Sequence, residues 1–166
     1  MKQLSTYIQE KLIINKDYRE VNIIVKSFDE LRKIIEDRYD KFGPGTEQNP
    51  IDFNDIDVSN LDSFCNEKNN GIFEGTKFKY IDISYWDVSN VTDMSGVFWG
   101  CLELKSVGYL SNWDVSNVTL MRAMFSYCSK LKSLGDISGW DVSNVRHHDY
   151  MFEKCPIKDE YKPKFK

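Results

Sequence analysis

The chain has no long hydrophobic run: nowhere in its 166 residues do apolar side chains continue for the roughly 20 positions a membrane-spanning helix needs. At the N-terminus charges are scattered among Leu4, Tyr7, Ile8, Leu12, Ile13 and Ile14, so neither a membrane span nor an ordinary secretion signal is expected. No sign of charge dominates either. Lys+Arg 22 against Asp+Glu 26 leaves a net charge of −4, which gives no electrostatic ground for nucleic acid or an anionic membrane as partner. Histidine is scarce. Only His147 and His148 occur, and neighbours on a helix point about 100° apart, so the two cannot serve one substrate atom as a dyad. The Gly-Lys phosphate loop, the Gly-x-Ser-x-Gly elbow and the His-Glu-x-x-His motif are all missing. The expectation is a non-enzymatic chain without a cofactor. Its composition, 41% hydrophobic, 14% aromatic and 29% charged, suits a single folded unit with one sizeable core.

What is present is a repeat. Trp-Asp-Val-Ser-Asn-Val occurs at Trp86 to Val91, Trp113 to Val118 and Trp140 to Val145, starting every 27 residues. A degenerate copy, Ile56-Asp57-Val58-Ser59-Asn60-Leu61, begins 30 residues before the first, its longer spacing absorbing a polar insertion around Asn66 to Asn70. Periods of this length mark stacked units, each burying its apolar face only against its neighbours.

Two spacings alternate within a copy. Val91, Met94, Val97, Phe98 and Cys101, and again Val118, Met121, Met124, Phe125 and Cys128, fall in steps of three and four, which predicts a short helix capped by the Ser or Asn of the preceding string. The following Leu104, Val107, Leu110 and Leu131, Leu134, Ile137 series predicts a short extended segment with inward apolar side chains.

The string at 131–145, with Met151-Phe152-x-x-Cys155 after it, resembles the BspA-like leucine-rich repeat of bacterial and protist surface proteins, over roughly residues 51–155. The resemblance implies an α/β architecture: a short right-handed leucine-rich-repeat-like solenoid of about three to four strand–helix repeats. It also implies adhesion or other protein binding with no catalytic residues to carry over. The expected domains are an N-terminal helix–strand–helix cap over 1–50, the solenoid over 51–157 and a polar C-terminal tail over 158–166. Members of that family are typically at the cell surface or secreted; a chain without a secretion signal would instead be cytoplasmic or virion-associated.

Three sets of repeated residues each admit two or more readings. Cys101, Cys128 and Cys155 occupy equivalent positions, with Thr76 in the first copy, which suits a ladder of small packed thiols; a disulfide with Cys65 or a metal site are the alternatives, although no Cys-x-x-Cys pairing supports metal. Asp57, Asp87, Asp114 and Asp141 would stack as like charges, each satisfied by its own Asp-Val-Ser-Asn turn or by shared Ca²⁺. Trp86, Trp113 and Trp140 form a core column or a ligand platform.

Residues that differ between copies at outward positions are the candidates for partner binding, because the scaffold does not dictate them: Tyr80, Asp82, Tyr85, Lys105, Tyr109, Asn112, Lys132 and Asp136. Trp99 and Tyr127 are further exposed aromatics, and His148 replaces a core Met as a half-buried residue. In the first 50 residues Leu4 to Asn15 reads as a helix, Val21 to Val25 as a strand, and Phe28 to Tyr39 as a helix begun by the capping box Ser27-x-x-Glu30. Pro156 reads as the stop of the last helix. The expected function is a protein-binding module, monomeric or weakly dimeric. One alternative is a phage- or mobile-element-encoded structural or accessory protein docked through Leu4 to Ile14; another is a glycan-binding module.

Overall fold

In the computed structural model, which describes residues 23–68 and 70–165, the first element is β1 (Ile23–Ile24), followed by α1 (Phe28–Phe42). The expected helix over Leu4 to Asn15, the docking peptide within it and the start of the expected strand lie outside the described residues. Helix α1 begins where the sequence places it. Ser27 accepts from the Glu30 N–H (3.2 Å) and the Glu30 carboxylate reaches back to the Lys26 N–H (2.7 Å), satisfying two donors of the chain entering the helix. It ends one turn later than expected, at Gly43, whose left-handed backbone (φ 72) lets its N–H return to Tyr39 O at 2.7 Å. Leu31 and Ile35 face inward from α1 and are fully buried, and Tyr39 meets Phe78 edge to face at 5.1 Å. Arg32 donates to Ile72 O (2.7 Å), while Arg38 pairs with Asp55 (2.7 Å), donates to Asp52 O and covers the Phe53 ring.

The repeats correct the expected architecture. No right-handed solenoid of strand–helix leucine-rich repeats forms: among the described residues the one α-helix, α1, precedes the repeats. Strand among the described residues is confined to two small parallel sheets, β1 with β3 (Ile56–Asp57) and β2 (Ile51–Asp52) with β4 (Ile81–Asp82). The segments expected as helices run as successive tight turns. Trp99 N–H to Gly96 O (2.8 Å), Cys101 N–H to Phe98 O (3.1 Å) and Leu104 N–H to Cys101 O (3.1 Å) close four-residue turns. Turns linked in this way send in an apolar side chain every three or four residues and so imitate the helical period. Left-handed backbone at Gly96 (φ 63) and Gly100 (φ 68), and at Ala123 (φ 51) and Tyr127 (φ 61) one copy on, prevents a right-handed helix from propagating. Pro156 therefore follows a turn rather than ending a helix.

Freed from bonding within a helix, alternate N–H groups reach the next copy. Met94, Gly96, Phe98 and Gly100 donate to the carbonyls of Leu120, Arg122, Met124 and Ser126 at 2.8–3.0 Å, and Met121, Ala123, Phe125 and Tyr127 repeat the pattern toward His147, Asp149, Met151 and Glu153. Single parallel bridges, Tyr80 to Ser106 to Ser133 and Asp93 to Leu120 to His147, hold the copies elsewhere, so the expected extended segments shrink to one-residue contacts. Gly71 lies so close to its neighbour that a Cβ there would sit 2.1 Å from Gly96 O.

Side chains repeat this registration. The rings of Phe73, Phe98, Phe125 and Phe152 stack with centroids 5.3–5.5 Å apart and planes within 14°. Trp86, Trp113 and Trp140 are buried, each donating its indole N–H to a carbonyl of the preceding copy, Phe53, Ile83 and Leu110 respectively, at 2.9–3.2 Å. This resolves the tryptophans as core. The tail folds back on the last copy: Ile137 donates to Tyr161 O (3.1 Å), Phe165 stacks on half-buried His148 at 3.9 Å, and Lys162 lies over the Phe152 ring.

Candidate protein-binding face

The candidate residues sit on and around the parallel bridges. Lys105 donates its N–H to Lys79 O (2.7 Å) and Lys132 its N–H to Lys105 O (3.0 Å), so the lysines of successive copies lie one above another. The Lys105 ammonium rests over the half-buried Tyr80 ring, 5.5 Å from its centroid. Tyr85 and Tyr109 project outward, 53% and 69% exposed, and their backbone is fixed: Tyr85 N–H donates to Asn54 Oδ1 (2.8 Å) and Tyr109 N–H to Ser84 Oγ (2.8 Å). Asn112 and Lys132 are exposed as well. The face therefore presents aromatic rings and ammonium groups on a backbone held by inter-copy hydrogen bonds, the tyrosines being the residues that protein interfaces favour.

Asp82 and Asp136 are placed differently. The Asp82 carboxylate accepts from the Ser84 N–H (3.0 Å) and hydroxyl (2.6 Å), and Asp136 accepts from the Ser138 N–H (3.0 Å), so each is first a turn former. The bonds from Ser138 hold the Asp136 carboxyl below its ordinary range, and the group stays exposed. Gly108, left-handed at φ 85, abuts the Asp82 turn: a Cβ there would lie 2.3 Å from Ser84 Oγ. Residue-by-residue reading of variable positions missed Lys79 and Lys158. The available signal was alignment on the bridge, which sets Lys79-Tyr80-Ile81, Lys105-Ser106-Val107 and Lys132-Ser133-Leu134 in register. Lys132 and Lys158 together border an open cavity of about 430 Å³ with Gly135, Asp136 and Tyr161.

Other repeated groups prove structural. Asp57, Asp87, Asp114 and Asp141 accept from the N–H of Ser59, Ser89, Ser116 and Ser143 at 2.9–3.1 Å, the turn reading of that column. The Asn90, Asn117 and Asn144 amides then donate to the carbonyl of Ser59, Ser89 and Ser116 in the preceding copy at 2.7–2.8 Å. All four cysteines are free thiols. Cys101 and Cys128 donate to Phe73 O and Phe98 O (both 3.0 Å), and burial pushes Cys101 up to about 11 and raises Cys128 further. Cys65 bonds Asp93 (3.1 Å) and is also pushed up to about 11, chiefly by burial. Thiols raised in this way stay protonated near neutrality and make poor nucleophiles. Among the described residues no three His, Cys, Asp or Glu side chains gather as a metal site, and no helix is long and apolar enough to cross a membrane.

The family described as "Mycoplasma protein of unknown function, DUF285" matches residues 51–160, and the chain belongs to that family. No curated protein and no solved structure matches it.

Proposed function

We propose that this protein is a non-enzymatic protein-binding module that engages its partner through Tyr80, Tyr85, Lys105, Tyr109, Asn112 and Lys132. The observation that carries the reading is Tyr109, 69% exposed on a backbone pinned to the neighbouring copy by Ser84. A large ring displayed at little cost in conformational entropy is a typical interface anchor. The likeness of the repeat string to BspA-like repeats, associated with adhesion, supports the same reading. The test is site-specific photocrosslinking in lysate and envelope fractions of the source organism, with the crosslinker at position 109 and, as control, at exposed Lys33 on α1. The proposal expects one protein captured from position 109 and not from position 33; equal capture from both, or none from 109, contradicts it.

A second reading, glycan binding, draws on Trp99. This ring is 46% exposed and borders an open cavity of about 310 Å³ with Glu74, Asp93, Ser95 and Arg122, an aromatic platform beside polar groups. Glycan-array binding abolished by Trp99→Ala would favour it over the first reading.

A further inference from the structure

The repeat also builds two columns of opposite charge. Lys79, Lys105 and Lys132 are aligned by the N–H bonds that join them; Lys158 borders the same cavity as Lys132 but is paired with Glu160 at 3.4 Å. At another corner, the Asn90, Asn117 and Asn144 amides pin the Asp-Val-Ser-Asn turns together, which aligns Asp57, Asp87, Asp114 and Asp141. Hydrogen-bonded rungs of parallel chain lie about 4.8 Å apart, so like charges repel along each column. Asp141 acts on the Asp114 carboxyl in this sense. Among the described residues, Lys79, Lys105 and Lys132 have no acid within 4.0 Å and Asp57, Asp87 and Asp114 no base there, although Glu103, whose own partner is Lys130, lies near enough to Lys79 and Lys105 for both to hold its carboxyl below the ordinary range. Because both columns are built on one repeat, they share one pitch.

We propose that the lysine column of one molecule docks, rung against rung, on the aspartate column of a second copy of this chain. The proposal rests on the reading of the Lys105 and Lys132 face as a protein-binding face and names a partner for it. Such a contact is heterologous: each docked molecule keeps one unused column, so association continues into short rows unless geometry closes it. Its ion pairs are exposed and are therefore screened by salt.

The test is sedimentation velocity on the full chain at about 20 and about 300 mM NaCl, where screening differs severalfold. The expected result is a weight-average mass clearly above the monomer's at low salt that falls toward the monomer's at high salt, the direction screening of exposed ion pairs gives. Lys105→Gln with Lys132→Gln, and separately Asp87→Asn with Asp114→Asn, should each stay monomeric. The asparagine oxygen still accepts the Ser N–H, so the turns persist. Mixed in equal amounts, the two variants restore one intact column each and should associate as dimers only. A monomer at both salts, or low-salt association retained by either variant, overturns the proposal. If the asparagine variant fails to fold by near-ultraviolet circular dichroism, the lysine variant decides alone: loss of association supports docking and retention overturns it. Failure here leaves the position 109 crosslink unaffected, so the two readings fall separately.

Discussion

Cys101 shows how a repeated residue earns its place by size and partner rather than by reactivity. Its thiol is fully buried, donates to Phe73 O and is pushed up from an ordinary 9.0 to about 11, burial being the largest cause. As pH rises the unfolded chain ionises first, so the associated stability is whole below about pH 9 and is lost as pH climbs toward about 11. Two units correspond to roughly 3 kcal/mol. Urea unfolding between neutral pH and about pH 10.5 should show this loss in the native protein and a shallower one in Cys101→Ala; identical slopes would contradict the assignment. Glycines give a second contrast at this scale. Gly71→Ala forces a Cβ to within 2.1 Å of Gly96 O, whereas Gly139→Ala meets nothing within 4 Å. The first should lower stability by about 3 kcal/mol or more and the second by under about 0.5 kcal/mol, read from denaturant midpoints.

At the scale of elements, the sequence shows the unit and its period but disguises its internal geometry. Identical Trp-Asp-Val-Ser-Asn-Val strings announce stacking, and the buried Trp, Phe and Cys ladders follow directly from positions that repeat. The helix expectation fails because chained four-residue turns share the three-and-four spacing of a helix. What separates them is left-handed backbone. Gly96 and Gly100 hint at it in one copy, but Ala123, Tyr127, Tyr150 and Lys154 carry it without glycine in the next two, so composition conceals the signal. Helix α1, by contrast, is legible from its capping box because the cap lies in adjacent residues. The ladders make the element-scale predictions. Phe125→Ala removes a ring stacked on both sides and should cost about 3–5 kcal/mol, whereas Trp113→Phe, which leaves Ile83 O without its indole donor, should cost about 1–2 kcal/mol. Ser27→Ala should cost about 1 kcal/mol by loss of the α1 cap. Denaturant melts of the three variants rank these effects.

At the scale of the molecule, a continuous core links α1 to the repeats through Leu31 and Ile35, and the tail turns back on the final copy through Phe165 and Lys162. Between these ends the interior is dictated by the repeat and the outer face is not. This division is why candidate residues could be picked from the variable positions of the sequence while the lysine column could not. The column appears only once the bridges fix which residues are neighbours: Tyr80, Ser106 and Ser133 set the register that brings Lys79, Lys105 and Lys132 into line. Asp82 and Asp136, which vary between copies as surface residues do, are committed to turns that a sequence pattern of Asp-x-Ser only suggests in retrospect.

The most direct measurement is affinity capture from lysate and envelope fractions with the intact protein, set beside a folded variant carrying Tyr85→Ala, Tyr109→Ala and Lys105→Ala. Tyr85 and Tyr109 are exposed and Lys105 half-buried over the Tyr80 ring, so the variant should keep its melting temperature to within several degrees, roughly the effect of about 1 kcal/mol. The account predicts that one protein is recovered by the intact chain and that its recovery falls at least about tenfold with the variant, the loss expected when anchors worth more than about 1.4 kcal/mol are truncated. Equal recovery by both would contradict it and would take the binding function away from this face.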